Sequence, residues 1–91
     1  MEKYFDLSIY LPNRTLFEGR VDSLIAPGAL GYFGVLVDHA PFVSTLAPGR
    51  IEIRDGSGAK KTFKNEGSGF FKVSKNSCIM LLEKAHVQAS T

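Results

Sequence analysis

Strict alternation is the first pattern along the chain. Phe5, Leu7, Ile9 and Leu11 are apolar, with Asp6, Ser8 and Tyr10 between them. A period of two is that of an extended strand with one covered face. Pro12-Asn13 interrupts it as a turn. A longer extended stretch is expected over residues 15–25. Phe17, Gly19, Val21, Ser23 and Ile25 fall on one side of it, and Glu18, Arg20 and Asp22 on the other. A strand that long has to bend, and Gly19 is the expected place. Shorter strands are predicted over 34–37, 42–46, 51–54, 59–64 and 71–73. Asp55-Gly56-Ser57-Gly58 is the strongest hairpin signal. Residues 65–69 form a polar, glycine-rich connection, and Asn76-Ser77 a turn. Residues 78–82, CIMLL, are apolar without interruption, which predicts a strand covered on both faces. No helical stripe persists over three turns, and 85–91 is too short for a stable helix of its own. Short strands at close spacing, separated by glycine and proline turns, predict an all-β sandwich or barrel.

Punctuation is densest between Gly28 and Gly49. Glycines stand at 28, 31, 34 and 49, and prolines at 41 and 48. Asp38-His39-Ala40-Pro41 makes a polar corner between two apolar runs. The 91 residues fit one domain, and the single cysteine, Cys78, excludes an internal disulfide framework. The opening residues, acidic at Glu2 and Asp6, do not show a signal-peptide pattern. No run approaches the 18 or so apolar residues of a membrane helix, so contact with a membrane is expected only through a partner. The net charge of +2 is too small to argue for nucleic acid. Lys60, Lys61, Lys64, Lys72 and Lys75 concentrate positive charge in the second half, as a solvated rim or a loose basic face.

Candidate chemistry is sparse. The spacing of Gly28, Gly31 and Gly34 matches no phosphate-binding loop, and no helix follows to hold an anion. Asp38-His39 lacks a nucleophile, and its histidine reads as a corner residue whose two nitrogens tie backbone groups. Two histidines and one cysteine offer no zinc spacing. Cys78 reads as a small buried hydrophobe. Glu18 and Asp22, with Arg20 between them, read as a surface ladder. The residues alone point to a small all-β interaction module that is not an enzyme and needs no cofactor or metal.

Gly31-Tyr32-Phe33-Gly34-Val35-Leu36-Val37-Asp38-His39-Ala40-Pro41 resembles the GxxGVLPxHAP-like run of a known family. That family is the N-terminal domain of the epsilon subunit of F-type ATP synthase, called delta in mitochondria. Pro48-Gly49-Arg50-Ile51, Leu16-Phe17-Glu18-Gly19-Arg20-Val21 and Gly67-Ser68-Gly69-Phe70-Phe71-Lys72-Val73 resemble its flanking segments. The likeness spans about 7–85. Val37 stands where the family usually has proline, Asp38 where glycine or asparagine is common, and Ser68 where glycine is frequent. Family members usually continue into two C-terminal helices that can inhibit ATP hydrolysis, and this sequence stops at Thr91, about where the first would begin.

The resemblance implies a flattened β-sandwich of about ten short strands over 1–85, with 86–91 a short tail. It implies a non-catalytic central-stalk subunit that bridges the gamma subunit and the membrane c-ring and supports coupling of proton flow to ATP synthesis. Such a subunit is peripheral to the membrane through its complex, on the F1 side, which is the cytoplasmic face of the inner membrane in a bacterium. By position, Gly28, Ala29, Leu30, Gly31 and Tyr32 match the ring-facing loop, with Gly34, Asp38, His39 and Pro41 shaping it. Phe42, Val43, Met80 and Leu82 are the candidates to face gamma. Nucleic acid and direct membrane insertion are not implied. The competing reading is a small β-sandwich protein-binding module unrelated to ATP synthase. An oligonucleotide-binding fold is a weaker rival, and it requires exposed aromatics on the lysine-bearing face.

Overall fold

A computed structural model describes residues 2–88, and in it the alternating segments become nine strands. These are β1 (Phe5–Leu11), β2 (Arg14–Gly28), β3 (Gly31–Leu36), β4 (Phe42–Leu46), β5 (Gly49–Asp55), β6 (Lys60–Asn65), β7 (Gly69–Ser74), β8 (Ser77–Leu82) and β9 (Ala85–Val87). One layer runs β4-β7-β8-β1 and takes in the first half of β2. The other runs β3, the second half of β2, then β5, β6 and β9. All pairings are antiparallel except β1 with β8. The fold is a flattened all-β sandwich. Its strand count is nine where about ten were expected, because the 15-residue β2 serves both layers.

How β2 does this corrects the sequence reading. Against β5, Val21 pairs with Asp55 and Ser23 with Arg54, so Asp22 is an extra residue. An extra residue reverses which side chains point inward. Val21 is buried before the bulge, and Leu24 and Ala26 are buried after it. Ile25, expected on the same side as Val21, is instead 45% exposed. Arg54 Nε donates to Asp22 Oδ1 at 2.7 Å and secures the bulge. A second irregularity lies near Leu16, where Ile9 pairs with Phe17 but Tyr10 with Thr15. Gly19 is not the bend. It pairs regularly with Leu7, and its missing side chain makes room for a ring: a Cβ there would lie 3.2 Å from Phe17. That ring meets Phe63 edge-on at 6.0 Å and lies 5.4 Å from the Lys61 ammonium.

The core lies between the layers and includes Leu7, Ile9, Val21, Leu24, Ile51, Phe63, Phe71 and Met80. Asn65 is the only buried polar residue among the described residues. Its Nδ2 donates to the Ala47 carbonyl at 2.9 Å, and its Oδ1 accepts the Gly67 N–H at 3.3 Å. It thereby ties the β4–β5 turn to the β6–β7 connection. β9 has no counterpart in the sequence reading: Ala85 is buried, and Ala85–Val87 pairs with β6. Residues 89–91 of the expected tail lie outside the described residues.

The Asp55 hairpin forms as expected, with Arg54 opposite Lys60. The Asp55 carboxylate accepts from the Ser57 hydroxyl at 2.6 Å, the Ser57 N–H at 2.9 Å and the Ala59 N–H at 3.1 Å. The two Ser57 bonds lead, opposed next by desolvation, and with the Ala59 amide and Lys61 they hold its carboxyl below the ordinary value of 3.8.

Two predictions follow from these polar anchors. Asn65→Ala strands the Ala47 carbonyl and the Gly67 amide, so denaturant unfolding is expected to show a loss of about 2 kcal/mol. Folding lowers the Asp55 pKa, so its contribution is present above pH 3.8 and lost as pH falls through the folded value. A carboxyl NMR titration is expected to place the folded midpoint below 3.8. Fast exchange of the Ser57 and Ala59 amides at neutral pH would contradict this account.

Candidate docking surfaces

The first candidate surface follows from strand parity in the β4-β7-β8-β1 layer. Ser44, Phe71, Met80 and Ile9 lie in register across it, as do Phe42, Val73, Cys78 and Leu7. These rows point into the core. The intervening rows, Val43–Lys72–Ile79–Ser8 and Thr45–Phe70–Leu81–Tyr10, point outward. Val43, Phe70, Ile79 and Leu81 are 58%, 42%, 42% and 48% exposed. An outward row is ordinarily polar; here Phe70, Ile79 and Leu81 cluster across β7 and β8, and Val43 stands beyond Lys72 on β4, an apolar exposure of the kind that marks an interface. Beside it Tyr10, Pro12, Phe70, Leu81 and Glu83 line an open, mostly apolar depression of about 420 Å³.

This register corrects the residue choice in β8. Met80 and Leu82, expected to face a partner, are 0% and 3% exposed and belong to the core. The uninterrupted apolar run carries no parity of its own, so the pairing with β7 decides it, and Ile79 and Leu81 are the outward pair. Val43 points outward. Phe42 points inward at the layer's end, partly exposed, with ring centroids 5.1 Å from Phe33 and 6.4 Å from Phe71. Sequence patterning could have flagged β8 as needing a cover, but not which alternate residues.

The second surface is the β2–β3 hairpin. Gly28 pairs with Gly31, leaving Ala29 and Leu30 as the two-residue tip. Leu30 is fully exposed. Gly31 sits at φ 134°, a conformation side-chain-bearing residues rarely adopt. Gly28, expected in the exposed loop, is buried. A Cβ on it would lie 2.8 Å from the Gly31 carbonyl oxygen, so it permits the tight closure rather than any contact. Tyr32 is half exposed and lies over β5, where its hydroxyl accepts the Arg50 N–H at 2.9 Å. Phe33 packs on the core beside Phe42 and Phe71. Gly34 shapes no loop: it lies within β3 opposite Ile25, with space beside it.

The corner after β3 carries the chain from one layer to the other. Asp38 lies at φ 63°. His39 Nδ1 donates to the Ala40 carbonyl at 2.6 Å, and its ring lies 5.8 Å from that of Phe42. One of its nitrogens, rather than two, ties a backbone group. Pro41 is exposed and leads into β4. Between this β4 strand and the hairpin tip, Leu30, Phe33, Phe42 and Val43 border a second groove of about 390 Å³.

The remaining candidates are not brought together. Lys72 stands on the outer face of β7, whereas Lys60 and Lys64 lie opposite Arg54 and Arg50 in the other layer, so the lysines form no single face. Arg20 lies 3.9 Å from Asp6, and Asp22 is engaged by Arg54, so the row on β2 offers no acid–base pair. Among the described residues no group of His, Cys, Asp and Glu could hold a metal ion, and no helix is long and apolar enough to cross a membrane. Cys78 is buried against the core, and desolvation pushes its thiol up to about 12. A thiol-reactive reagent at pH 8 is therefore expected to leave Cys78 unmodified in the folded chain and to label it once denaturant unfolds it. Rapid labelling of the folded chain would contradict the buried placement.

Comparison with known proteins identifies the family of the chain. A family profile described as ATP synthase, Delta/Epsilon chain, beta-sandwich domain matches residues 4–88. The chain is 45% identical over 78 residues to the ATP synthase epsilon chain of Caulobacter vibrioides, covering 86% of this chain and 88% of that protein. It is 40% identical to the epsilon chain of Chlorobaculum tepidum, covering 91% and 93%. The epsilon chain of Leptospira interrogans is 44% identical, but this chain spans only 59% of it. Among solved structures, a chain of the Euglena gracilis mitochondrial ATP synthase OSCP/F1/c-ring structure superposes with a TM-score of 0.87 at 21% identity, over 96% of this chain and 55% of that one. A chain of the Tetrahymena thermophila central stalk and c-ring structure gives 0.74 at 16% identity, over 92% and 66%. At those identities the structures establish the shared fold.

Proposed function

The chain belongs to the ATP synthase delta/epsilon β-sandwich family, whose members are non-catalytic stalk subunits, and on that premise we propose how its two surfaces are used. The outer face of β4, β7 and β8 docks on the gamma subunit, and the Ala29–Leu30 hairpin tip meets the membrane c-ring. The chain reaches the membrane only through that complex. It joins two larger bodies so that they turn together while proton flow drives ATP synthesis. One observation supports the first contact above others: Val43, Phe70, Ile79 and Leu81 are apolar on the side of their layer turned away from the core. The second contact rests on Leu30, an apolar residue fully exposed at the end of a rigid two-residue turn.

The placement accounts for both ends of a mechanical link. A patch built on paired strands is stiff, because backbone ladders and core packing fix every second residue behind it. A sheet face therefore suits the permanent joint, and a small projecting turn suits contact with a loop-built ring surface.

The test is reconstitution of F1 depleted of its own epsilon subunit. Leu81→Asp loses apolar contact and places a charge in the joint, which is expected to cost about 2 kcal/mol, roughly 30-fold in affinity. Leu30→Asp is expected to bind F1 like wild type yet fail to restore proton-driven ATP synthesis in vesicles. Wild-type affinity of Leu81→Asp for F1 would remove the β8 face from the joint.

A further inference from the structure

Asp38 and Asn76 are two of three described residues with side chains at positive φ, and they lie where the β3–β4 corner approaches the β7–β8 turn. Asp38 is at 63° and Asn76 at 58°, and Lys75 beside it is at 52°. Such backbone is disfavoured for residues other than glycine and persists only where surrounding contacts hold it. Here the two residues hold each other. The Asp38 N–H donates to Asn76 Oδ1 at 2.7 Å, and Asn76 Nδ2 donates to Asp38 Oδ1 at 2.9 Å. The Asn76 carbonyl meanwhile accepts the Asp6 N–H at 2.9 Å, which fixes the turn to the start of β1. The bonds span 38 residues of sequence.

Location gives the pair its consequence. The corner is where the chain leaves the β3 layer and enters the other one at β4. β4 contributes Val43 to the outer apolar face, β7 contributes Phe70, and β8 contributes Ile79 and Leu81. The β4–β7 ladder reaches its end at Phe42 opposite Val73, and the β7–β8 ladder at Ser74 opposite Ser77. Beyond those pairs the Asp38–Asn76 bonds join the corner to the β7–β8 turn. We propose that Asp38 and Asn76 are positioning residues: as a reciprocal clasp they fix the entry of β4 against the β7–β8 turn and preset the outer apolar face before a partner arrives. The docking consequence rests on the proposed joint with gamma; the clasp itself does not.

Three variants of the full chain test this. Asn76→Gly keeps the positive φ and removes the amide. Asn76→Asp removes the donor and sets two carboxylates against each other. The exchange Asp38→Asn with Asn76→Asp restores a donor and an acceptor in the opposite sense. Amide hydrogen exchange on the free chain is expected to show the Asp38 N–H at least tenfold less protected in Asn76→Gly, which has no acceptor, and by a smaller factor in Asn76→Asp, where repulsion between carboxylates weakens the bond that remains. The exchanged pair should return it to within about threefold of wild type, with the melting temperature little changed throughout. Affinity for F1 lacking its epsilon subunit is expected to fall three- to tenfold in Asn76→Asp and to recover in the exchanged pair. Undiminished protection in Asn76→Gly would overturn the clasp. Restored protection with an affinity that never moved would overturn its positioning role. Failure of wild type to bind F1 would overturn the proposed joint and the docking consequence with it, while the exchange data would still decide whether the clasp exists.

Discussion

One unpaired residue holds the architecture together. β2 must cover the core from both layers, and a regular strand presents one face throughout its length. The extra residue at Asp22 changes the inward set from Val21 to Leu24 and Ala26 and lets a single strand cross between layers without a loop. Arg54 reaches this residue from β5, so the bulge is fixed by the neighbour whose register it disturbs. The same shift turns Ile25 outward, so an apolar residue becomes exposed as a by-product of geometry. Placement of β3, β5 and the hairpin tip then depends on β2 having changed face.

The limits of sequence reading have the same origin. Alternation in β1, β5 and β7 is legible because each faces core on one side and solvent on the other. The Asp55 hairpin is legible because its turn residues are chemically demanding. A bulge has no demanding residue. Asp22 and Leu16 are ordinary side chains, and Gly19, the plausible hinge, serves instead to admit the Phe17 ring. β8 fails differently. Cys78, Ile79, Met80, Leu81 and Leu82 are all apolar, so no periodicity survives to say which residues face inward. β9 is only Ala85, His86 and Val87, too short to show a period, and it is a strand because β6 offers it an edge.

The candidate surfaces were legible in part for a related reason. Core and interface draw on the same residue types, and only geometry separates them. Leu30 stands out because it is a large apolar residue in a glycine-punctuated turn. Met80 and Leu82 could not be told from Ile79 and Leu81 until the β7 pairing was known. Gly28 shows the converse: a glycine in a turn-like run reads as loop, yet here it is buried so that Gly31 can close on it. Within the run that carries the family resemblance, burial separates the exposed Ala29–Leu30 tip from the buried Gly28.

The corner at Val37-Asp38 shows how a local departure from a family pattern can be absorbed elsewhere. A proline would restrict the backbone at position 37, and a glycine would take positive φ at 38 without strain. Valine and aspartate do neither, yet Asp38 adopts φ 63°. The restraint comes instead through space, from Asn76 on a turn that itself uses two residues at positive φ. The entrance to β4 has to be fixed for its ladder with β7 to begin at Phe42. Local backbone chemistry and a long-range side-chain bond are two ways of meeting that demand. This chain uses the second, and a scan of positions 37 and 38 alone could not have revealed it.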